Sequence, residues 1–294
     1  DIVHYHATMP AYFAGIPRLF GARTVVTVHG LDWKRAKWGP FYRQLQKGGA
    51  WAAARFPNAT VGCSRFLKRH YKETYGVDIE YIPNAVTPHE PRPLNLAKRH
   101  GLERGQYVLF LARLVPEKGC HTLIEGFRKT RTDQKLLIVG EAPYMDQYRR
   151  TLSRLAEGDP RIIFTGAIFG EETWELYSNA SLFVLPSEIE GMALGLLEAM
   201  SFGCCPLVSD IPENVEVIDP GYPENPAADP ARRFGWSFRD RDAEDLARQI
   251  EFLLDNPSLA AGIGARARAY VLEHFDWERS TRLHLELYER LFGQ

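Results

Sequence analysis

Two glutamates in a glycine-containing stretch are the residues of this sequence best placed to do chemistry. Glu190 and Glu198 lie in the segment 185–205, which follows an apolar, strand-like run and enters a helical pattern. A carboxylate at the end of a strand, followed by glycine and a helix start, is how an open α/β sheet forms a ligand crevice. The N–H groups and dipole of that helix start favour a phosphate. The carboxylates would then hold hydroxyl groups of a polyol attached to the phosphate.

Two cations follow an earlier strand-like run. Arg113 and Lys118 lie in the sequence RLVPEKG, just before a predicted helix that begins at Gly119. Cations near a helix N-terminus can neutralise a diphosphate. Arg, Lys and Glu are also common on ordinary protein surfaces, so a solvated loop is the alternative interpretation. Glu198 has apolar neighbours on both sides and needs a partner if it is buried.

Three histidines lie on or after predicted strands. His29 ends the strand 23–28 and precedes Gly30, at the edge of a crevice; a purely structural histidine is the alternative. His4 and His6 lie on one face of the first strand, because side chains alternate along a strand. A metal site there would need a third ligand, and none is indicated.

Length and composition describe an ordinary globular protein. The 294 residues predict about two domains, and 45% of them are hydrophobic. The net charge of −1 is uneven, because residues 1–86 hold 12 Lys and Arg against 5 Asp and Glu. Such a basic half suits an anionic membrane surface or substrate, or is an ordinary solvated face. No nucleic-acid partner is expected.

The cysteines and the hydropathy pattern predict a cytoplasmic location. Cys63, Cys120, Cys204 and Cys205 have neither CxxC nor zinc-site spacing, which is typical of reduced, buried thiols. No apolar run approaches the roughly 18 residues that cross a bilayer, and no signal-peptide pattern opens the chain. Contact with a membrane surface would be peripheral.

Alternating strands and helices predict an α/β fold with parallel, doubly wound sheets. The apolar stretch 11–20 predicts a helix, and Ser64 is a candidate N-cap for a basic helix. Prolines around residues 83–93 indicate a linker. The other predicted elements are strands 1–6, 59–63, 107–112, 135–139, 161–164, 181–185 and 206–209, helices 41–55, 119–129, 144–156, 171–178, 243–254, 258–274 and 277–292, and a loop over 220–233.

Together these segments resemble the retaining, nucleotide-sugar-dependent glycosyltransferases of family 4, which have the GT-B fold. The resemblance covers nearly the whole chain. It departs mildly from the family pattern, where IPNGVD reads IPNAVT and EGFG reads EGMA. The motifs that carry it are VTVHGLD at 26–32, IPNAV at 82–86, LARLVPEKG at 111–119, VLPSEIEGM at 184–192, LLEAM at 196–200 and EHFDWE at 273–278.

The resemblance implies two Rossmann-like domains, the first of them truncated at its N-terminus. Residues 1–86 would form this partial, acceptor-side domain, and residues 87–105 the linker. Residues 106–276 would bind the nucleotide sugar, and the final helix, 277–294, would cross back to the first domain.

The resemblance also assigns roles. Arg113 and Lys118 match the pair that holds the donor diphosphate, Glu190 the glutamate near the donor-sugar hydroxyls, and Glu198 the one that holds the ribose. His29 matches the histidine that faces the donor sugar. Backbone contacts at the helix start would come from Gly191, Met192, Ala193 and Leu194.

The implied reaction moves a sugar from a UDP- or GDP-sugar to a carbohydrate or lipid-linked acceptor, with retention and with no cofactor or metal required. The shortened first domain keeps an alternative open, namely a non-catalytic or weakly active nucleotide-sugar-binding module. It would also leave strand edges exposed, which favours self-association. A phosphorylase on the same scaffold would need a lysine carrying pyridoxal phosphate, for which no motif is visible.

Overall fold

The computed structural model describes residues 1–35, 38–95, 101–142 and 145–293. They form two compact units. The first contains Asp1–Ala85, the short segment Ile189–Met192 and the C-terminal residues from Phe275 onward. The second contains Val86–Glu188 and Ala193–His274. Each unit is built on its own parallel sheet.

The first unit has a four-stranded parallel sheet in the order β1-β2-β3-β4. Its central strand β2 reads RTVVTV and is almost wholly buried, as a strand covered on both faces should be. The strands are β1 Ile2–His6, β2 Arg23–Val28, β3 Ala59–Gly62 and β4 Glu80–Tyr81.

Local sequence sets the ends of the two helices that follow β2 and β3. Helix α1, Pro40–Arg55, has proline in its first turn, where the missing N–H costs nothing. Helix α2, Arg65–Tyr75, is capped by the Ser64 hydroxyl, which accepts from the Leu67 N–H at 3.2 Å. The predicted cap is confirmed.

The stretch 11–20 differs from the prediction of a single helix. It forms two short 3₁₀ turns, Pro10–Phe13 and Pro17–Phe20. Pro17 has no N–H to donate to the preceding turn, which interrupts an α-helix at that point. The helix prediction is therefore wrong, because the apolar character of the stretch cannot compensate for the missing N–H of Pro17.

The last helix, α10 Trp277–Phe292, belongs to the first unit. Its residues Leu287 and Leu291 pack in one buried cluster with β2, β3 and Ile82. Asp276 caps the helix by accepting from the Arg279 N–H at 2.8 Å. The helix predicted over 277–292 has the same bounds in the structure, and Gln294, the end of the predicted C-terminal segment, lies outside the described residues.

The second unit has a six-stranded parallel sheet in the order β10-β9-β8-β5-β6-β7. The chain enters at the central strand β5, builds outward to β7, and then returns to β8 on the other side of β5. This reversal is the topological switch point of a doubly wound sheet. The strands are β5 Tyr107–Leu111, β6 Lys135–Val139, β7 Ile162–Gly166, β8 Leu182–Leu185, β9 Pro206–Ser209 and β10 Trp236–Phe238.

Seven helices of the described residues accompany this sheet. Two short elements, α7 and β10, were not predicted, since seven and three residues are too few to show a period. The predicted start of α4 at Tyr144 lies outside the described residues, as do residues 96–100 of the predicted linker. The helices are α3 Cys120–Phe127, α4 Asp146–Ala156, α5 Glu171–Asn179, α6 Leu194–Ser201, α7 Pro212–Ile218, α8 Ala243–Asp255 and α9 Pro257–His274.

The four cysteines are free and buried. Burial raises the pKa of the Cys205 thiol to about 12, because a thiolate is poorly solvated there. Within the described ranges, no helix combines the length and the apolar character that crossing a membrane demands.

Candidate functional site

The loops that follow β5 and β8 meet at the switch point of the second unit. The Glu188 N–H donates to the Glu117 carbonyl oxygen at 2.9 Å. A β-carbon on Gly119 would lie 1.9 Å from the Pro186 carbonyl oxygen, and the φ of Gly119 is +66°. Only glycine fits this close approach and this backbone conformation. The two loops are therefore held together by main-chain atoms.

The loop after β6 joins them. A β-carbon on Gly140 would lie 1.9 Å from the Ala112 carbonyl oxygen. The Leu114 N–H donates to the Glu141 carbonyl oxygen at 2.8 Å. Three strand ends thus converge around the segment that carries Arg113 and Lys118.

The two predicted cations lie in that segment. Arg113 is exposed, whereas Lys118 is partly buried at the end of the 3₁₀ turn Pro116–Lys118. Both therefore stand at the carboxyl edge of the sheet, where open α/β sheets bind ligands.

Helix α6 begins at the same edge. A β-carbon on Gly195 would lie 3.5 Å from the carbonyl oxygen of Leu111, the last residue of β5. Among the described residues, no side chain caps this helix start. Its first-turn N–H groups, with Ala193 and Leu194, are therefore placed to receive an anion in the unit that contains Arg113 and Lys118.

Glu198 lies one turn into α6 and is oriented by a neighbouring tyrosine. The Tyr177 hydroxyl donates to Glu198 Oε2 at 3.1 Å. Burial raises the pKa of Glu198, while the Tyr177 hydrogen bond and the charge of His89 act to lower it. The result is a half-buried carboxylate held in one orientation.

His29 and Glu190 lie together in the first unit. A β-carbon on Gly191 would lie 1.8 Å from the His29 carbonyl oxygen, so glycine is required there. The Asn84 side-chain amide donates to the Met192 carbonyl oxygen at 3.0 Å and so holds the C-terminal end of the segment Ile189–Met192. Glu190 is buried.

His29 has a second histidine as its partner. His6 Nδ1 and His29 Nε2 are 3.1 Å apart, and the rings stack with centroids 5.4 Å apart. Partial desolvation and the neighbouring His6 lower the pKa of His29, whereas the charge of Asp32 acts to raise it. In the part of the chain that the structure describes, no group of three or more His, Cys, Asp or Glu residues could hold a metal ion.

The predicted site residues thus fall into two groups. The first unit contains His29, Glu190, Gly191 and Met192, and the second contains Arg113, Lys118, Ala193, Leu194 and Glu198. Sequence reasoning did not single out Asn84 or Tyr177, and it considered His6 only as a metal ligand beside His4. The period-two spacing of His4 and His6 was the only signal for these three supporting residues.

Comparison of the sequence with models of known protein families identifies the family of this chain. A model described as "Glycosyl transferases group 1" matches residues 95–270, which is more than half of the chain. A second, "Glycosyltransferase Family 4", matches residues 1–90. The chain belongs to this glycosyltransferase family.

Curated members of the family are distant in sequence. A GDP-mannose-dependent alpha-(1-6)-phosphatidylinositol monomannoside mannosyltransferase of Mycolicibacterium smegmatis is 27% identical over 238 residues, which are 75% of this chain and 59% of that protein. The sulfoquinovosyl transferase SQD2 of Arabidopsis thaliana is 29% identical over 206 residues, 70% of this chain and 37% of that protein. The chain therefore spans less than two thirds of these relatives' length.

Solved structures agree in fold. A sucrose-phosphate synthase from Thermosynechococcus elongatus superimposes with a TM-score of 0.82 at 22% identity, covering 99% of this chain and 74% of that one. HepE of Anabaena, solved in complex with UDP, gives a TM-score of 0.81 at 18% identity, with 100% and 79% covered. The expected GT-B-type fold with two parallel α/β units, the first one smaller, is confirmed.

Proposed function

We propose that this chain carries the catalytic core of a retaining glycosyltransferase that moves a hexosyl or N-acetylhexosaminyl group from a nucleotide-diphosphate sugar to an acceptor hydroxyl. The observation that carries the proposal is the cradle at the switch point of the second unit. There the segment 112–119 and the start of α6 bring two cations and a set of helix N–H groups to one edge of one sheet.

The cradle suits a leaving diphosphate. When the bond to the sugar breaks, negative charge grows on the β-phosphate. Arg113, Lys118 and the dipole of α6 would stabilise that charge before any rearrangement of solvent is needed. Each such contact is worth about 3–4 kcal/mol in the transition state. Glu198, held by Tyr177, would accept hydrogen bonds from the ribose hydroxyls.

His29 and Glu190 would serve the donor sugar. Both belong to the same unit, and their backbones touch through Gly191. Glu190 supplies an acceptor for sugar hydroxyls, and the His29 imidazole a donor or an acceptor. The developing oxocarbenium charge would be shielded from water by these groups, and the leaving phosphate would accept the proton of the incoming hydroxyl.

The names of relatives suggest the donor and acceptor classes. HepE was solved with UDP, and the mycobacterial relative is named for GDP-mannose and a phosphatidylinositol mannoside. A UDP- or GDP-sugar donor and a carbohydrate or lipid-linked acceptor are therefore proposed here. The basic helix α2 would rest on an anionic membrane that carries such an acceptor.

The alternative function is a module that binds a nucleotide sugar without transferring it. The first unit has four strands against six in the second, and the acceptor is expected on the first. A module that binds a nucleotide sugar without transferring it would need only the cradle. Nucleotide release on addition of acceptors separates the two functions.

The experiment offers the purified chain a set of UDP- and GDP-sugars and measures thermal shift, then nucleotide release with carbohydrate and lipid-linked acceptors. Arg113→Gln and Lys118→Gln should each weaken donor binding by about tenfold, whereas the matched surface variant Arg149→Gln should not. Binding without release would favour the module. A wild-type chain that binds none of the donors would overturn the proposal.

A further inference from the structure

A row of histidines crosses the first unit at the carboxyl ends of its strands. His4 and His6 are two residues apart on β1, and their rings stack with centroids 4.6 Å apart and planes 19° apart. Strand β2 pairs in parallel with β1, with Thr27 opposite His6, so His29 emerges beside that ring. The planes of His6 and His29 are 17° apart.

The hydrogen bond between His6 and His29 restricts both rings. Only one hydrogen can lie between His6 Nδ1 and His29 Nε2, which are 3.1 Å apart. When both rings are neutral, one of these nitrogens donates and the other accepts. The outward nitrogens, His6 Nε2 and His29 Nδ1, then have opposite roles, because a neutral imidazole carries a single N–H. The tautomer of one ring therefore fixes that of the other.

His4, whose ring stacks on that of His6, stays neutral. His4 Nδ1 lies 2.6 Å from the Tyr288 hydroxyl and His4 Nε2 lies 2.7 Å from Thr27 Oγ1, so both of its nitrogens are engaged. Burial and the neighbouring histidines lower the pKa of His4 to about 4. His4 thus supports the ring of His6 without adding positive charge to the row at neutral pH.

We propose that His6 is a positioning residue for His29: it holds the plane of the ring that the proposed reaction turns toward the donor sugar, and it couples the tautomer of that ring to its own. That His29 acts on a donor sugar rests on the proposed function. The contact between His6 and His29 is observed in the structure and does not depend on that function. Burial and the neighbouring His6 lower the pKa of His29, because two imidazolium rings in contact repel.

Other titratable groups also lie around His29. Asp32, in the 3₁₀ turn after β2, acts to raise the pKa of His29. His4 on β1, together with His284 and Tyr288 on α10, lies further along the row, with the His284 ring centroid 5.8 Å from that of His4. A change at His6 must therefore be compared with a change elsewhere in this row.

The test uses NMR of the imidazole nitrogens of the whole chain across a pH titration, with no donor present. His6→Phe keeps a flat ring in the stack but removes the nitrogen, and His6→Asn keeps a polar atom near the position of Nδ1. In the wild type, His6 and His29 should have the same tautomer, with the hydrogen on Nδ1 of both rings or on Nε2 of both. In His6→Phe we expect a mixture of tautomers and a His29 pKa higher by about half a unit or more, because a lowering neighbour is gone. His6→Asn should restore a hydrogen bond to His29 Nε2, seen as imidazole nitrogen shifts of His29 close to those of the wild type.

Two controls complete the design. His284→Asn alters the far end of the row and should leave the tautomer of His29 unchanged. Thermal unfolding monitors whether each variant is folded. A His29 pKa and tautomer that are the same in wild type and in folded His6→Phe would overturn the inference.

Activity provides a separate outcome. We expect His6→Phe to lower kcat by about tenfold with the donor KM within about twofold, and His6→Asn to recover most of that loss. An unchanged kcat in His6→Phe would overturn the positioning role even where the NMR shows the pair. A wild type that binds no nucleotide sugar, yet shows the coupled titration, would instead overturn the proposed function and leave the pair intact.

Discussion

The hydroxyl of Tyr177 donates a hydrogen bond to Oε2 of Glu198 across 3.1 Å, from helix α5 to helix α6. Burial raises the pKa of this carboxyl and the hydrogen bond opposes that rise. A hydrogen bond from such a donor favours the charged form of a carboxyl group that is half withdrawn from water. The tyrosine thus controls both the orientation and the ionisation of the group proposed to hold the ribose.

Tyr177→Phe should therefore weaken nucleotide binding by about three- to tenfold, or about 0.7–1.4 kcal/mol, which is the usual contribution of one hydrogen bond. The pKa of Glu198 should rise further, so that affinity begins to fall at a higher pH than in the wild type when the solution is acidified. Calorimetric titration with UDP and GDP at several pH values measures both effects. Tyr107→Phe is the matched control, because Tyr107 is also buried and donates to the Leu176 carbonyl oxygen instead. Equal losses in the two variants would contradict the prediction.

Gly119→Ala tests the contact between the two loops of the cradle. Gly119 and Gly105 both have positive φ, +66° and +70°, but only Gly119 would press a β-carbon against another residue, Pro186. The two alanine variants share the backbone penalty, so their difference isolates the steric contact. We expect Gly119→Ala to lower the free energy of unfolding by about 2 kcal/mol more than Gly105→Ala. Urea unfolding measures this difference, and similar values for the two variants would show that the loops can separate freely.

The pKa of His4 predicts a loss of stability in mild acid. Its pKa is lowered to about 4 in the folded chain, and an unfolded histidine titrates near about 6.5. Between these values the unfolded state binds the proton more readily, so the stabilisation is complete above about pH 6.5 and is lost as the pH falls toward about 4. After allowance for partial exposure, the loss is about 1–2 kcal/mol.

His4→Gln should remove that part of the pH dependence. The free energy of unfolding is measured in urea at pH values between 4 and 7. The variant should show a flatter profile than the wild type, while the control His274→Gln should keep the wild-type slope. A variant profile parallel to that of the wild type would count against a neutral His4.

The basic helix α2 is proposed to contact anionic membranes. Replacement of Arg65, Lys68 and Lys72 by glutamate should reduce binding to phosphatidylserine vesicles by more than about tenfold, since each cation near the surface contributes about 1 kcal/mol. The control replaces three exposed arginines of α4, Arg149, Arg150 and Arg154, by glutamate. Vesicle sedimentation at low and physiological salt measures the effect, and equal binding of the two variants would exclude α2 as the contact. The sequence also suggests the basic loop 34–37 as a membrane contact, and residues 36 and 37 of this loop lie outside the described residues.

Much of the fold follows from the sequence because its signals are local. The strand 135–139 was predicted with its observed bounds, since an apolar run between polar residues is typical of a buried parallel strand. Ser64 was recognised as a cap from its type and place. The prediction of a helix over 11–20 was wrong, because Pro17 interrupts an α-helix even in an apolar stretch.

The site was less predictable because its contacts are distant in the chain. The type and spacing of Glu198 marked it as a candidate, but Tyr177, its partner, lies on another helix and resembles any core tyrosine. The grouping of Ile189–Met192 with the first unit depends on contacts with His29 and Asn84 that no local pattern shows. His4 and His6 attracted notice only as possible metal ligands, because spacing along one strand cannot show which ring the next strand will bring alongside.

The cradle in the second unit is fixed by main-chain atoms, through Gly119 against Pro186, Gly140 against Ala112, and the hydrogen bond from Glu188 to Glu117. Contacts of this kind do not depend on which side chains the intervening positions carry. Exposed side chains on this segment, such as that of Arg113, can therefore change without insertions and without loss of the loop geometry. If the proposed donor site is correct, this edge of the sheet is a practical starting point for a library that selects new donor specificities.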